Sequence, residues 1–263
     1  MRAVDTATHP DWRGQGIFSR LTRRLLEVVD EEGVAMIFNT PNEKSRPGYL
    51  KMGWETVGRV SLWIRPMRPF RIVSALRQAE VSDDPNAEGG SPAVGRDPAS
   101  LFEDPNLEAF LERVEDARAQ ERLATPRTSE YLKWRYAQVP GIGYRAVWSI
   151  DGSTGAIVFL RQRSRGRTSE LRLCDIIVGP GSSSTSAARA LIRGLTRESQ
   201  ADFASAMTVT GAGVAAVLGA AGFVPAPRLG PIMTVRPLSA KATGLDPLRR
   251  SAWHLSIGDL ELF

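Results

Sequence analysis

Arg13-Gly14-Gln15-Gly16-Ile17-Phe18-Ser19 joins an alternating, strand-like stretch (Arg2 to Thr8) to a helix-patterned one (Ile17 to Glu32). Glycines at such a junction let the backbone approach a ligand and turn its N–H groups inward, where a helix N-terminus already favours an anion. A pyrophosphate suits that arrangement, and so does a plain tight strand-to-helix turn. The charges of the helix bear on the choice. Arg20, Arg23 and Arg24 stand in its first turns and Glu27, Asp30, Glu31 and Glu32 in its last. That is the reverse of what the macrodipole prefers, at ~0.3–1 kcal/mol for each misplaced charge. A polyanion at the N-terminal end offsets the cost; local pairing, such as Arg23 with Glu27, is the alternative.

Other chemistries are excluded by residue type. Cys174 is the only thiol, and His9 and His254 are the only imidazoles. A disulfide framework, a cysteine-rich metal site and a multi-histidine cage are therefore ruled out, and no metal is expected. The chain has 263 residues, 42% hydrophobic and 24% charged, which suits one large domain or two modest ones and excludes collagen, coiled coil and wholesale disorder. The net charge of +5 rests on arginines scattered among acids. No nucleic-acid motif or single basic face accompanies it, so no nucleic-acid partner is expected. No apolar run approaches the ~20 residues of a membrane span, and no signal-peptide pattern opens the chain, which makes the cytoplasm the default location.

The positioning elements follow from periodicity. After the first strand and the helix that Gly33 stops, Val34 to Phe38 reads as a buried strand. Asn42 or Ser45 caps a short helix that Gly53 ends, and Trp54 to Ile64 reads as one strand. Ser82 to Ser100, rich in Asp, Gly, Pro and Ser, reads as a linker or mobile loop. Helices are predicted over Leu101 to Leu123 and Ser129 to Gln138, then strands over Tyr144 to Ile150, Ala156 to Arg161 and Glu170 to Val178. A helix over Ser182 to Arg197, a strand over Phe203 to Val209, a helix over Gly213 to Gly222 and a strand over Pro231 to Val235 complete the pattern. Strand-helix-strand-helix-strand thus occurs twice, an α/β signature in a duplicated architecture.

The stretch Ala3 to Gly58 resembles the cofactor-binding core of the GNAT superfamily of acetyl-CoA-dependent N-acetyltransferases. Arg13 to Phe18 stands in the loop, preceded by Thr8-His9-Pro10, and Asn42 with Tyr49-Leu50-Lys51-Met52-Gly53-Trp54 matches the later Asn and Tyr-x-x-x-Gly-Phe motif. The glycines sit one position early, and Ser19 stands near the end of the signature. The resemblance implies acetyl-CoA as co-substrate and an amine as acceptor. It implies that Thr6, Ala7 and Thr8 pair with the pantetheine arm, and that Gly14 to Ser19, with Arg13, Gln15, Gly16, Ile17 and Phe18, cradle the pyrophosphate. Asn42 and Ser45 would lie near the acyl end, with Tyr49 as proton donor to the departing thiolate; a helical aromatic packed in the core is the alternative for Tyr49.

The layout is similar to tandem acetyltransferases of the enhanced-intracellular-survival kind, which implies a mixed α+β sheet in each of two GNAT-like halves. The expected units are 1–70 with the acetyl-CoA loop, a connecting 71–125, and a degenerate 126–263 that roofs the acceptor pocket. In that group the C-terminal carboxylate acts as base, which points to Phe263, with Asp259 and Glu261 as rivals. The second-half turn Gly179-Pro180-Gly181-Ser182-Ser183-Ser184 lacks the arginine, so no second cofactor site is expected. Few residues precede the loop, so the first unit is expected to begin partway through, with exposed sheet edges that favour a homo-oligomer. The alternatives are a decayed acyl-CoA-binding module and a tRNA-dependent aminoacyl transferase.

Overall fold

The computed structural model describes residues 1–3, 7–77, 94–118, 122–165, 167–209, 212–238 and 244–260. Met1 to Ala3 runs parallel to strand β1 (Met36–Asn39) through the Arg2–Phe38 bridge, and between them lies helix α1 (Ile17–Glu31). α2 (Arg46–Lys51), β2 (Glu55–Arg59), β3 (Ser61–Pro66) and α3 (Pro69–Arg77) complete the first half.

The second half runs α4 (Leu107–Arg118), β4 (Leu123–Ala124), α5 (Ser129–Leu132), β5 (Arg145–Asp151), β6 (Thr154–Arg165) and β7 (Thr168–Val178). It continues with α6 (Gly181–Glu198), β8 (Phe203–Val209), α7 (Ala212–Ala220), β9 (Val224–Ala226), β10 (Ile232–Pro237), β11 (Trp253–Ser256) and α8 (Ile257–Leu260). β6 is buried on both faces: Ala156, Val158 and Leu160 meet α6 and α7, while Ile157 and Phe159 meet α4 and the turn after α5. α6 fits this surface because Ala188, Ile192 and Leu195 share one helical face.

The two halves exchange strands. β10 lies between β1 and β2, and β3 lies between β8 and β9. The stretch expected as one strand, Trp54 to Ile64, is therefore two, broken at the buried Val60. At that break the two exchanged segments cross: Val60 N–H donates to Pro231 O (2.9 Å), and a Cβ on Gly230 would overlap the Val60 carbonyl oxygen. Only glycine allows this backbone-to-backbone approach.

β7 and β8 are parallel but paired over only four residues, Glu170–Leu173 with Phe203–Ala206. Beyond that point β7 carries a bulge at Cys174, the residue skipped between Leu160↔Leu173 and Phe159↔Asp175. The two strands part, and β11 takes the vacated edge of β8 through Leu255↔Val209 and Ser256↔Thr208.

Elsewhere the helices and strands depart from expectation mainly at their ends. α3, β4, β9, β11 and α8 are not anticipated, the strand expected over Arg2 to Thr8 is among the described residues a single bridge at Arg2, and the helix expected over Leu101 to Leu123 starts at Leu107 after a 3-10 turn, Pro98–Glu103. Most of the linker expected over Ser82 to Ser100 lies outside the described residues; Val94 to Ser100 is ordered against β5 through the Arg96–Ala146 bridge.

Because each sheet needs a strand from the other half, residues 1–77 and 94–263 produced separately are expected to be unfolded alone and to give one cooperative thermal transition when co-expressed. Circular dichroism checks this. A cooperative transition of 94–263 alone at the full-length Tm contradicts it. Gly230→Ala is expected to cost about 1–3 kcal/mol by denaturant titration.

Candidate functional site

The loop before α1 is open. Pro10–Trp12 makes one 3-10 turn, Arg13 Nε donates to Thr8 O (3.2 Å), and Gly14 and Gly16 take left-handed φ values of 77° and 71°. Those φ values, rather than crowding, call for glycine, since nothing lies within 4 Å of a Cβ built on either. Gly16 is the N-cap of α1 and no side chain caps the helix. Arg20 N–H is the first to close on the helix, to Gly16 O (3.0 Å), leaving the N–H groups of Ile17, Phe18 and Ser19 ahead of it. Gln15 is exposed, and so are Arg13 in the turn and Arg20, Arg23 and Arg24 along the first two turns of α1. The expected Arg23–Glu27 pair is replaced by Arg24–Glu27 (2.7 Å), three residues apart and exposed, where such a pair is worth little.

Phe18 anchors the loop to the core. Its ring packs on Gly48 and meets Tyr49 edge-on at 5.1 Å, and Tyr49 meets Trp54 at 5.0 Å. Tyr49 is only 4% exposed, among Val29, Ile37, Met52 and Trp54. Asn42 Oδ1 accepts from the backbone N–H groups of Lys44 (3.0 Å) and Ser45 (2.9 Å) and from Ser45 Oγ (3.1 Å), so both side chains are joined in the turn that opens α2. Ala7 is exposed and Thr8 half-buried; Thr6, Glu261 and Phe263 lie outside the described residues.

A second feature, which sequence reading assigned no ligand, sits where β7 and β8 part. A cavity of about 380 Å³ opens beside the N-terminus of α6, lined by Ile176, Val178, Val214, Arg118, Arg122 and His254 among others. Its inner end is closed by the tail of the chain. Arg127 Nη1 and Nη2 donate to both oxygens of Asp259 (2.8 and 2.7 Å), and Nε lies 2.9 Å from Asp175 Oδ2. Asp259 also accepts from Ser256 N (2.7 Å) and Oγ (3.0 Å).

Burial works against charge on Asp259, yet Arg127 outweighs it and holds the carboxyl below its ordinary range. Burial pushes Asp175 above its own, against the pull of Arg127 and with the help of the Asp259 charge. Asp259, considered above as a base, is thus a buried structural partner. Arg135 Nε donates to Gly258 O (3.2 Å), and Arg2 Nη2 donates to Leu260 O, which brings the tail to the Met1–Ala3 segment beside β1. Among the described residues no cluster of three metal-ligating side chains occurs, and no helix is long and apolar enough to cross a membrane.

With this geometry in place the comparisons become informative. Residues 3–57 match the acetyltransferase (GNAT) domain family. The match takes in the glycine loop, Asn42 and Tyr49, and stops short of β3. Among solved structures, the chain is similar to a GCN5-related N-acetyltransferase from Anabaena variabilis (16% identity, TM-score 0.55, 95% of this chain and 63% of that one). It is also similar to an Enterococcus faecalis protein of unknown function described as a probable N-acyltransferase (15%, 0.54, 88% and 52%). A third is a GCN5-related N-acetyltransferase from Kribbella flavida (18%, 0.52, 98% and 63%). At these identities the likeness is one of fold, and the chain spans between about half and two thirds of the length of each. No curated protein matches the chain. The mixed sheets, with helices on both faces of the larger one, are GNAT-like.

His254 yields a pH prediction. Burial first, then Arg118, Arg127 and Arg122, lowers its pKa from 6.5 to about 4. The unfolded chain therefore takes up a proton below pH 6.5 that the folded one refuses until about pH 4, and stability falls across that window. His254→Gln is expected to lose about 2–4 °C less in Tm than the parent between pH 6.5 and 4. Identical pH profiles contradict this.

Proposed function

We propose that the chain is a GNAT-type N-acyltransferase that moves an acetyl group from acetyl-CoA to a primary amine. The observation that carries this reading is the open, uncapped N-terminus of α1 behind two left-handed glycines, inside the segment that matches the GNAT domain. Among the described residues nothing lies within 4 Å of a Cβ built on Gly14 or Gly16, and three forward N–H groups with the exposed Arg13 and Arg20 on either side of them in sequence fit a diphosphate. In this reading Thr6, Ala7 and Thr8 hold the pantetheine arm by main-chain hydrogen bonds. Arg13 and Gly14 to Ser19 hold the diphosphate, and Asn42 and Ser45 fix the turn beside the acyl end.

The uncharged amine attacks the thioester carbon, the carbon–sulfur bond breaks, and Tyr49 returns a proton to sulfur. The carboxylate of Phe263 takes the proton that the amine loses; Leu260 at Arg2 supports the tail's reaching this half. The units are 1–70 and 126–263, two GNAT-like halves joined by 71–125, and the reciprocal placement of β3 and β10 supports the tandem arrangement. Cytoplasmic location belongs to the same reading.

One observation favours a second reading, a carrier-binding module without turnover: the proposed acid, Tyr49, is buried among aromatic rings. Calorimetry with acetyl-CoA and a thiol-release assay over a panel of amines separate the two. The enzyme reading expects binding that Gly16→Val abolishes, with thiol release that Tyr49→Phe lowers ~100-fold or more at unchanged affinity. Binding without thiol release supports the module, and absence of heat with acetyl-CoA removes both.

A further inference from the structure

We propose that the cavity between β7, β8 and the tail binds a compact anion: a phosphate or carboxylate carried on a small apolar body. Among the described residues its lining holds three basic side chains, Arg118, Arg122 and His254, and no carboxylate. The floor is apolar, built from Val114, Ile176, Val178 and Val214, and about 380 Å³ is within the range of small-molecule pockets. Arg118 is tied to Glu115 (2.9 Å) with its side chain 15% exposed, which fixes the guanidinium at the wall. α6, eighteen residues long, begins at Gly181 with no side-chain cap, and its dipole adds to the positive field.

The shape limits the ligand. An extended carrier would have to run between the parting strands, and that track is filled by β11 and α8 and held by the Arg127–Asp259 pair. Only a ligand short enough to stop at His254 fits. Burial first, and then the field of Arg118, Arg127 and Arg122 against a part offset by Asp259, keeps the proton affinity of His254 low, and an anion seated there offsets the arginine contribution.

The experiment uses the full chain and reads His254 directly. With only two histidines, the imidazole signals are assigned by a His9→Gln variant. Inorganic phosphate and phenyl phosphate are titrated at an ionic strength held constant with chloride. The expected result is a saturable His254 shift, tighter for phenyl phosphate, with a His254 pKa raised by about one unit or more when bound. Arg122→Gln is expected to weaken binding ~10-fold, and Thr185→Asp, half-buried near the start of α6 at the cavity wall, to abolish it with Tm preserved. A shift that does not saturate, or one that Arg122→Gln and Thr185→Asp both leave unchanged, overturns the proposal. So does coenzyme A, if it moves His254 at lower concentration than phenyl phosphate. Gly16→Val, which disables the first-half loop, is expected to leave these titrations unchanged, so the outcome is separable from that of the acyltransferase reading.

Discussion

The crossing at Val60 and Gly230 is the constraint on which the rest of the molecule depends. There two backbones pass in contact, β3 leaves for the larger sheet and β10 enters the smaller one. Without β10, β1 and β2 have no common neighbour, and the small sheet that carries α1 on its surface does not exist. Without β3, β8 and β9 are separated. The glycine loop is thus held in place by a strand encoded more than two hundred residues later, and its geometry is a property of both halves together.

The halves use similar parts differently. In the second half a parallel strand pair parts beside the N-terminus of a long helix, and in the first Met1 to Ala3 runs parallel to β1 through a single bridge, with α1 between them. In the first half the turn is glycine-rich and exposed, and exposed arginines follow along α1. In the second half the space is occupied by the chain's own end, clamped by a guanidinium shared between two buried carboxylates. Such a buried cluster gives little net stability compared with an apolar core, because desolvation consumes most of the attraction. What it does provide is a single defined position for β11 and α8, since removing any one partner leaves a charge stranded. That position closes the second cleft and carries Leu260 to Arg2.

Much of the local structure was legible in the sequence, and the reasons are physical. α1 came out within one residue because its apolar spacing is strong and Gly33 stops it; Phe203 to Val209 came out as β8 because its alternation has clear boundaries. The exchange was not legible. Residues Trp54 to Ile64 hold no Pro, Asn or Asp to mark a break, and periodicity says which face is buried but not which strand lies alongside. β11 is four residues long, too short for its pattern to stand out. The site was legible at the level of the loop, where glycine type and position reflect backbone conformation directly. Asp259 was visible only as an acid near the end of the chain. Its partner Arg127 lies 132 residues away, and nothing local in either segment announces the pair.

Strand exchange also governs how the polypeptide can be made. At ~5–20 residues per second, synthesis of the segment from β1 to β10 occupies on the order of ten seconds or more. Throughout that interval the edges of β1 and β2 have no mate, and the apolar side chains Ile37 and Trp54 have no finished interior to enter. Long-range pairing of this kind is slow in any case, because the ends of a large loop must meet before contacts reward them. The nascent first half therefore cannot complete its sheet until Ile232–Pro237 has emerged, and its maturation is tied to late translation.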